Sequence, residues 1–380
     1  MSVINQAPTA SRELVVLDVK PGAAMESQSG INNLWPKIYG ALIRAPGSRI
    51  GAIIMHPASN FMGHYLMEPL ARAGIHALGL NSRYLNNDSQ LIMERVIQDL
   101  GAGVRYMRSI GCDTVFLIGN SGGAALACYY QAQAEQPTIT ATATGDKLLI
   151  TRDDLPLVDG LALTAAHPGR SRLFAQWLDP SLIDEHDAFS CDPSLNMFNP
   201  SNGPPFAADW LARYRAAQLE RNQRIERWAR AQLAYVQSLD HGVRDMAFII
   251  YRTSADPRHL DPSIDPNDRP SGSIWGDPRQ LNYGANSIGR YTTIASYLSQ
   301  WAQSSQADGP DNLARSHCPV LSIEHSADAS VVPAMNELWT AAAPARFERH
   351  VLKGATHYLQ GQPQHVATTV SLMLEWARTL

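Results

Sequence analysis

The sequence predicts an α/β fold built on a mostly parallel, doubly wound sheet. Three short apolar runs, each bounded by turn residues, indicate strands that are buried on both faces, as in parallel sheets. They lie at 50–56 (IGAIIMH), 75–80 (IHALGL) and 113–118 (DTVFLI). Segments of helix length separate strand-like runs along the chain, and this alternation is typical of a doubly wound sheet. The length of 380 residues favours one large domain with an insertion, or two domains.

The elements that follow continue the same alternation. An amphipathic helix, which Asp88 or Ser89 can cap, is predicted between the second and third runs. Its apolar residues recur at spacings of three and four: Ile92, Val96, Leu100, Val104 and Met107. Further strands are predicted at 160–166 (GLALTAA), 319–325 (PVLSIEH) and 345–352 (ARFERHVL), with a helix over about 363–379.

The middle of the chain has a different character. Residues 168–310 are rich in Pro, Asp, Asn and aromatic residues and contain one long helical stretch, which begins ADWLARYRAAQLERNQ. We interpret 168–310 as a mainly helical cap inserted between two strands of a core formed by 1–167 and 311–380. Most of its aromatic side chains are expected to form the cap's own core, and a minority to face a ligand cavity. The candidates for substrate binding in the cap are Trp177, Phe206, Trp210 and Tyr283.

Composition and charge exclude several classes of function. Apolar residues make up 45% and charged residues 17%, with a net charge of −4, so no basic surface for nucleic acid or an anionic membrane is expected. The sequence predicts no transmembrane helix and no secretory signal, and its four cysteines are scattered. We therefore expect a cytoplasmic protein, a monomer or homodimer, with a small-molecule substrate as its partner. The acidic residues of the cap (Asp256, Asp261, Asp265 and Asp268) have an irregular, proline-interrupted spacing, so no metal is expected.

A serine between glycines follows the third predicted strand. Residues 117–130 read LIGNSGGAALACYY, which places Gly119-x-Ser121-x-Gly123 between a strand and a helix. A nucleophilic serine needs a sharp turn that lifts its Oγ above the sheet, and glycine is required two residues before and after, where the chain approaches itself. The N–H groups at the start of the next helix then point to where an oxyanion forms, with Gly122 as the first donor.

A serine nucleophile also needs a base and an acid that orients the base. His357 lies in a small-residue loop (LKGATHYLQGQP) after the last predicted strand, and Asp328 follows the strand before it (LSIEHSADASVVP). Glu324 lies within that strand and Asp153 in a segment of uncertain structure, so both suit the acid role less well. The predicted triad is Ser121, Asp328 and His357.

The loop after the first predicted strand offers the second oxyanion donor. It reads His56-Pro57-Ala58, and because proline has no N–H, we assign this role to Ala58. His56 is expected to orient the loop rather than to act as a base. His56 and Asn120, which precedes the serine, complete the candidates for substrate binding.

The motifs GNSGG, SADASVV and KGATHY together resemble the α/β-hydrolase superfamily, over about 50–167 and 315–380. Two features depart from the family pattern, namely His-Pro in place of His-Gly and an unusually long cap. The resemblance implies a sheet with the triad order Ser, Asp, His along the chain. It also implies an esterase-like serine hydrolase without a metal or organic cofactor.

The reaction indicated by these residues is acyl transfer through an acyl-enzyme, with a carboxylic ester of a small apolar or aromatic compound as the expected substrate. The same triad is compatible with a thioester, a lactone, an activated amide or hydrolysis of a carbon–carbon bond. A hydrolase-like binding protein without turnover is the alternative from another class of function.

Overall fold

A computed structural model describes residues 11–21, 35–239 and 241–380. Eight strands form the central sheet: β1 Arg12–Asp18, β2 Lys37–Ile43, β3 Ile50–His56, β4 His76–Asn81, β5 Thr114–Asn120, β6 Gly160–Thr164, β9 Val320–His325 and β10 Phe347–Leu352. Their order is β1-β2-β4-β3-β5-β6-β9-β10. From β4 onward every neighbouring pair is parallel, whereas β2 pairs antiparallel with both β1 and β4. The predicted mostly parallel sheet is confirmed.

Ten α-helices lie in the described ranges. They are α1 Met67–Arg72, α2 Met93–Ser109, α3 Gly123–Glu135, α4 Arg170–Trp177, α5 Ala208–Ser238, α6 Pro278–Tyr283, α7 Ile294–Gln300, α8 Gly309–Arg315, α9 Pro333–Ala342 and α10 Pro363–Ala377. Two short strands, β7 Ala247–Ile249 and β8 Tyr291–Thr293, form a separate antiparallel pair. None of the helices in this part of the chain combines the length and apolar character that a membrane crossing requires.

The predicted strands of the core all form, and two differences stand out. The sequence patterns did not reveal β1 and β2, because Leu14, Val16 and Tyr39 expose apolar side chains and the pair lies at the sheet edge. The helix predicted to start near Asp88 begins instead at Met93, after a short 3₁₀ turn over Asp88–Gln90.

The core lies on both faces of the sheet. On one face, α2 and α3 pack against strand residues such as Ile53 and Leu117. On the other face, α1 and α10 cover residues such as Ile54 and Phe116, and the Phe116 ring meets the Trp376 ring edge-on at 5.7 Å. Since both faces are covered, the strands are continuous apolar runs, which is why they could be recognised from sequence.

The chain between β6 and β9 carries α4 to α8 together with β7 and β8. Two apolar clusters form inside it, one around Phe174 and Tyr297 and another around Trp210 and Tyr214. Helix α8, at the end of this stretch, packs closely against α9. A Cβ on Gly309 would lie 2.2 Å from the ring of Trp339 in α9. The division into a core and a cap over 168–310 stays a prediction.

A buried ion pair links distant parts of this segment. Asp179 Oδ2 accepts hydrogen bonds from Arg252 at 2.6 Å and from Asn282 at 2.6 Å, and both side chains of the ion pair are 0% exposed. Asp179 Oδ1 accepts from the N–H and hydroxyl of Ser181. Removing one partner of such a buried ion pair lowers the free energy of unfolding strongly, because the other charge stays buried without a counter-charge.

We predict that Asp179→Asn lowers the free energy of unfolding by about 3 kcal/mol or more, since it leaves the Arg252 guanidinium without a buried counter-charge. The matched control is Glu68→Gln, which removes the same charge from a solvent-accessible pair with Arg72 and should cost about 1 kcal/mol or less. Urea unfolding of the three proteins measures both values. Equal losses in the two variants would contradict the role given to the buried network.

Candidate active site

The turn that carries Ser121 joins the end of β5 to the start of α3. Ser121 has a φ of 54°, in the left-handed region that non-glycine residues occupy at a cost of about 1–2 kcal/mol. A Cβ on Gly119 would lie 2.6 Å from Cα of Ala124. A Cβ on Gly123 would lie 2.4 Å from the carbonyl oxygen of Met55. Backbone therefore occupies the space of any side chain two residues before and two residues after the serine.

Hydrogen bonds from the next strand hold this turn in place. The Ser121 N–H donates to the Thr164 carbonyl at 3.3 Å, and the His167 N–H donates to the Ser121 carbonyl at 3.1 Å. Both partners lie at the carboxyl end of β6 or directly after it. The serine is thus fixed above the edge where the parallel strands end, which is where ligands bind in open α/β sheets.

The structure brings the three predicted triad residues into one hydrogen-bonded chain. Nε2 of His357 lies 3.1 Å from Oγ of Ser121, and Nδ1 lies 2.6 Å from Oδ2 of Asp328. An ionised carboxylate can only accept, so Nδ1 carries the proton and Nε2 is left to accept from the serine hydroxyl. His357 is 2% exposed and Asp328 is 0% exposed, so the pair is shielded from water.

The surroundings of Asp328 keep its carboxylate ionised. Burial by itself raises its pKa, but the charge and hydrogen bond of His357 and the N–H groups of Val331 and Ser330 outweigh burial and hold the pKa below its usual value. Those two N–H groups donate to Oδ1 at 3.0 and 2.7 Å. Asp328 is therefore ionised at neutral pH, whereas Glu324, the less suitable candidate, is paired with Arg349 at 2.7 Å.

His325 positions the loop that carries His357. Its Nδ1 donates to the Thr356 carbonyl at 2.8 Å, and its Nε2 accepts from the Thr164 hydroxyl at 3.1 Å. Burial lowers the pKa of His325 to about 4, so the ring is neutral and keeps this pattern of donor and acceptor. The end of β6 is thereby connected to the residue directly before the catalytic candidate.

The two predicted oxyanion donors have different surroundings. The Gly122 N–H precedes α3 and makes no hydrogen bond in the part of the chain that the structure describes. The Ala58 N–H instead donates to Nδ1 of His56 at 3.3 Å, and the Ser59 N–H donates to the same atom at 3.0 Å. The His56 ring thus engages the group that was expected to be free, which corrects the assignment of Ala58.

His167 is a member of the site that the sequence analysis missed. Its ring centroid lies 5.6 Å from that of His357, and its Nε2 lies 3.0 Å from the Ser330 hydroxyl. Nδ1 is buried and has no partner among the described residues, and burial lowers the pKa of His167 to about 3. The available signal was its place directly after β6, at the sheet edge that carries Ser121.

Two aromatic residues of the inserted segment lie near this edge. Trp177 is 1% exposed, with its ring 6.5 Å from that of His167 and 5.1 Å from that of Trp275. A hydrogen bond from Trp275 partly offsets the burial that raises the pKa of Tyr358, the residue after His357. Trp177, the candidate named from sequence, thus packs behind Trp275 near the site, and its role in substrate binding stays a prediction.

The other three aromatic candidates pack inside the inserted segment. Phe206 stacks on Trp210 at 4.7 Å, and Trp210 stacks on Tyr214 at 4.7 Å and donates its indole N–H to the Ser194 carbonyl. Tyr283 lies 3.8 Å below the guanidinium of Arg252. These contacts belong to a local core, which corrects the prediction that Phe206, Trp210 and Tyr283 face a substrate; the sequence pattern cannot separate the two environments.

Asn120 also has a structural environment. It is 2% exposed, its Oδ1 lies 3.3 Å from Nε2 of His64, and its Nδ2 donates to the Thr164 carbonyl at 3.3 Å. Asn120 therefore supports the strand end rather than facing a substrate, which corrects the role inferred from its position before Ser121.

The acidic residues of the inserted segment are occupied by other partners. Asp256 pairs with Arg215 and Arg258, and Asp268 pairs with Lys353. Asp261 and Asp265 accept backbone N–H groups. Within residues 11–21, 35–239 and 241–380, no group of three or more His, Cys, Asp and Glu is arranged to hold a metal ion.

Comparison with known proteins adds one result about the fold. No family model and no curated protein matches the chain. Among solved structures, DcsB in complex with a substrate analogue is 14% identical, with 97% of this chain and 99% of that chain covered and a TM-score of 0.50. An esterase domain from Rhodothermus marinus is 12% identical, with 97% and 98% covered and a TM-score of 0.47. A monoacylglycerol lipase from Paleococcus ferrophilus is 12% identical, with 90% and 98% covered and a TM-score of 0.45.

At these identities the likeness concerns the fold alone, and we base the conclusion on the DcsB match and the strand order. The eight-stranded, mostly parallel sheet, with a serine at the sharp turn after β5, has the topology that the sequence motifs predicted. The protein has the α/β-hydrolase fold.

Proposed function

We propose that this protein is a serine hydrolase that cleaves a carboxylic ester through an acyl-enzyme. The observation that carries the proposal is the chain of hydrogen bonds from Asp328 through His357 to Ser121, with distances of 2.6 and 3.1 Å. A serine at a strained turn, next to an imidazole that a carboxylate orients, has the arrangement that acyl transfer needs. The positive φ of Ser121, with backbone packed against Gly119 and Gly123, is the turn geometry that a nucleophilic serine needs.

In the first half of the reaction, Oγ of Ser121 attacks the carbonyl carbon of the ester. His357 Nε2 takes the hydroxyl proton, and the π electrons of the carbonyl move to its oxygen. Asp328 stabilises the imidazolium that forms. The tetrahedral intermediate then collapses, the bond to the alcohol oxygen breaks, and His357 returns its proton to that oxygen.

In the second half, water replaces the alcohol. His357 Nε2 removes a proton from this water as its oxygen attacks the acyl carbon, and a second tetrahedral intermediate forms. Its collapse breaks the bond to Ser121, and the proton on His357 passes to Oγ. The balance is one ester and one water in, one acid and one alcohol out. No redox step and no metal enters.

The aromatic groups around the triad favour a small apolar or aromatic substrate. Trp275 is 41% exposed and Tyr358 is 45% exposed, and the Tyr358 ring lies edge-on to that of His357 at 4.7 Å. Trp177 lies behind Trp275 and is fully buried. The half-exposed Tyr358 ring beside His357, with Trp275 hydrogen-bonded to it, provides an apolar surface for an acyl or alcohol group. The same geometry accepts a thioester or a lactone, and the test panel includes both.

We predict that Ser121→Ala abolishes hydrolysis of every ester that the parent protein cleaves, by about 10³-fold or more, and leaves the fold intact. Alanine has no nucleophile but fits the same turn. The measurements are turnover on a panel of p-nitrophenyl esters and labelling by a fluorophosphonate probe, with circular dichroism as the control for folding. A variant that keeps a tenth of the parent activity would remove Ser121 from the nucleophile role.

We predict that Trp275→Ala changes the ranking of substrates more than it changes stability. Loss of one apolar contact should alter discrimination between large and small acyl groups by about 1–3 kcal/mol, and a half-exposed ring has few packing partners to lose. The panel of esters of rising acyl and alcohol size, with a thioester and a lactone added, gives kcat/KM for each variant.

The matched control is Trp210→Ala. Trp210 is 4% exposed and stacks within the inserted segment, so its loss should lower the free energy of unfolding by about 3–5 kcal/mol and leave the ranking of substrates unchanged. The proposed binding surface is wrong if Trp210→Ala alters the ranking and Trp275→Ala does not.

A further inference from the structure

The loop after β3 fixes the tautomer of His56. Its Nδ1 accepts the N–H groups of Ala58 and Ser59, at 3.3 and 3.0 Å. A ring nitrogen that accepts cannot carry a proton, so in the neutral ring the proton lies on Nε2. Nε2 makes no hydrogen bond to any residue that the structure describes. The ring thus has one nitrogen committed to its own loop and one N–H group available.

That N–H group lies beside the residue after the serine. A Cβ on Gly122 would lie 2.7 Å from Nε2 of His56 and 3.3 Å from Cδ2. Gly122 has a φ of −63° and a ψ of −13°, which any residue adopts, so its backbone does not require glycine. The absent side chain therefore serves one evident purpose, which is room for the far edge of the His56 ring.

The same corner also holds the other donor expected for an oxyanion. The Gly122 N–H is unpaired among the described residues, and the first turn of the 13-residue helix α3 begins at the next residue. The positive end of a helix dipole favours negative charge at this point. An oxygen on the acyl carbon of Ser121 that accepts from the Gly122 N–H would lie beside the residue that the His56 ring faces.

We infer that Nε2–H of His56 is the second donor of the oxyanion hole, in the place that a backbone N–H of this loop was expected to fill. The inference rests on the proposed function, since the oxyanion is the one that forms when Ser121 attacks the substrate carbonyl. His56 is then a catalytic residue, because it touches the reacting oxygen, and Gly122 supplies both a donor and the space for the ring.

The electrostatic surroundings keep His56 suitable for this role. Burial, the charge of Arg170 and the rings of His167 and His357 together lower the pKa of His56 well below its usual value. The imidazole is therefore neutral at working pH and does not compete with the catalytic base for its proton. A neutral donor that its own loop already holds in place stabilises developing negative charge without first having to reorient.

The alternative role for His56 is to orient the loop through Nδ1, and two substitutions separate the roles. Asparagine places an acceptor oxygen where Nδ1 stands but has no donor at the position of Nε2. Glutamine is long enough to bring its amide N–H groups to that position. Loop orientation requires His56→Asn to keep its activity, whereas an oxyanion donor requires His56→Gln to keep more activity than His56→Asn.

The experiment measures kcat and KM of the parent, His56→Asn and His56→Gln on the p-nitrophenyl ester that the parent cleaves fastest. We expect kcat to fall by about 10²–10³-fold in His56→Asn, with KM nearly unchanged, because the donor acts on the transition state. Because glutamine restores a donor, kcat of His56→Gln should be about tenfold higher than kcat of His56→Asn, or more. Thermal unfolding of each variant checks that the fold is kept.

A double-mutant cycle with Gly122→Ala supplies the second test. In the parent, the added Cβ displaces the ring edge, so kcat should fall by a factor similar to that of His56→Asn. In His56→Asn the side chain is too short to meet this Cβ, so Gly122→Ala should cost little more there. This non-additivity is the signature of one shared interaction.

The outcomes are distinct. If His56→Asn retains activity within a few-fold of the parent, or if Gly122→Ala costs the same in both backgrounds, the inference is wrong while the proposed function stands. If the parent neither hydrolyses any ester, thioester or lactone of the panel nor reacts with a fluorophosphonate, the proposed function is wrong and the inference falls with it. The inference and the proposed function are both supported if the two His56 variants fold stably, kcat falls in His56→Asn and kcat is restored in His56→Gln.

Discussion

The strained turn at Ser121 is the constraint on which the rest of the site depends. A serine with a φ of 54° is held there only because Gly119 and Gly123 let the chain pass against itself and against β3. Hydrogen bonds to Thr164 and from His167 lock the turn against the end of β6. With Oγ fixed above the sheet edge, the loops after β3, β9 and β10 bring His56, Asp328 and His357 to the same edge.

Three histidines, His325, His64 and His56, support this edge, and the pKa of each is lowered so that the ring is neutral. His325 connects the β6 end to the His357 loop, His64 contacts Asn120 under the serine turn, and His56 holds its own loop through Nδ1. Burial lowers the pKa of His64 and of His325 to about 4. A neutral imidazole offers one donor and one acceptor at fixed positions, so these rings organise the site without adding positive charge that would compete with His357 for Asp328.

The strands that are buried on both faces could be predicted from the sequence, and so could the residues that belong to the serine-turn motif. Strands β3 to β6 are continuous apolar runs, and Gly119, Gly123, Asp328 and His357 follow from what a serine turn and its partners need. Strands β1 and β2 were not recognised, because an edge ribbon with exposed apolar residues such as Leu14 has no clear period. Whether an aromatic side chain such as Trp210 faces a cavity or a local core depends on long-range packing, and the periodicity of one helix does not contain that information. The contact between His56 and Gly122 joins residues far apart in the chain, so only the folded structure reveals it.

The central claim is that Ser121 forms a covalent bond to the acyl group during turnover. The most direct measurement is the intact mass of the protein, quenched in acid during hydrolysis of an activated ester, followed by peptide mapping. We expect a mass increase equal to the acyl group, located on the peptide that contains Ser121 and absent in Ser121→Ala. Steady hydrolysis with no covalent adduct, or with the adduct on another residue, would contradict it.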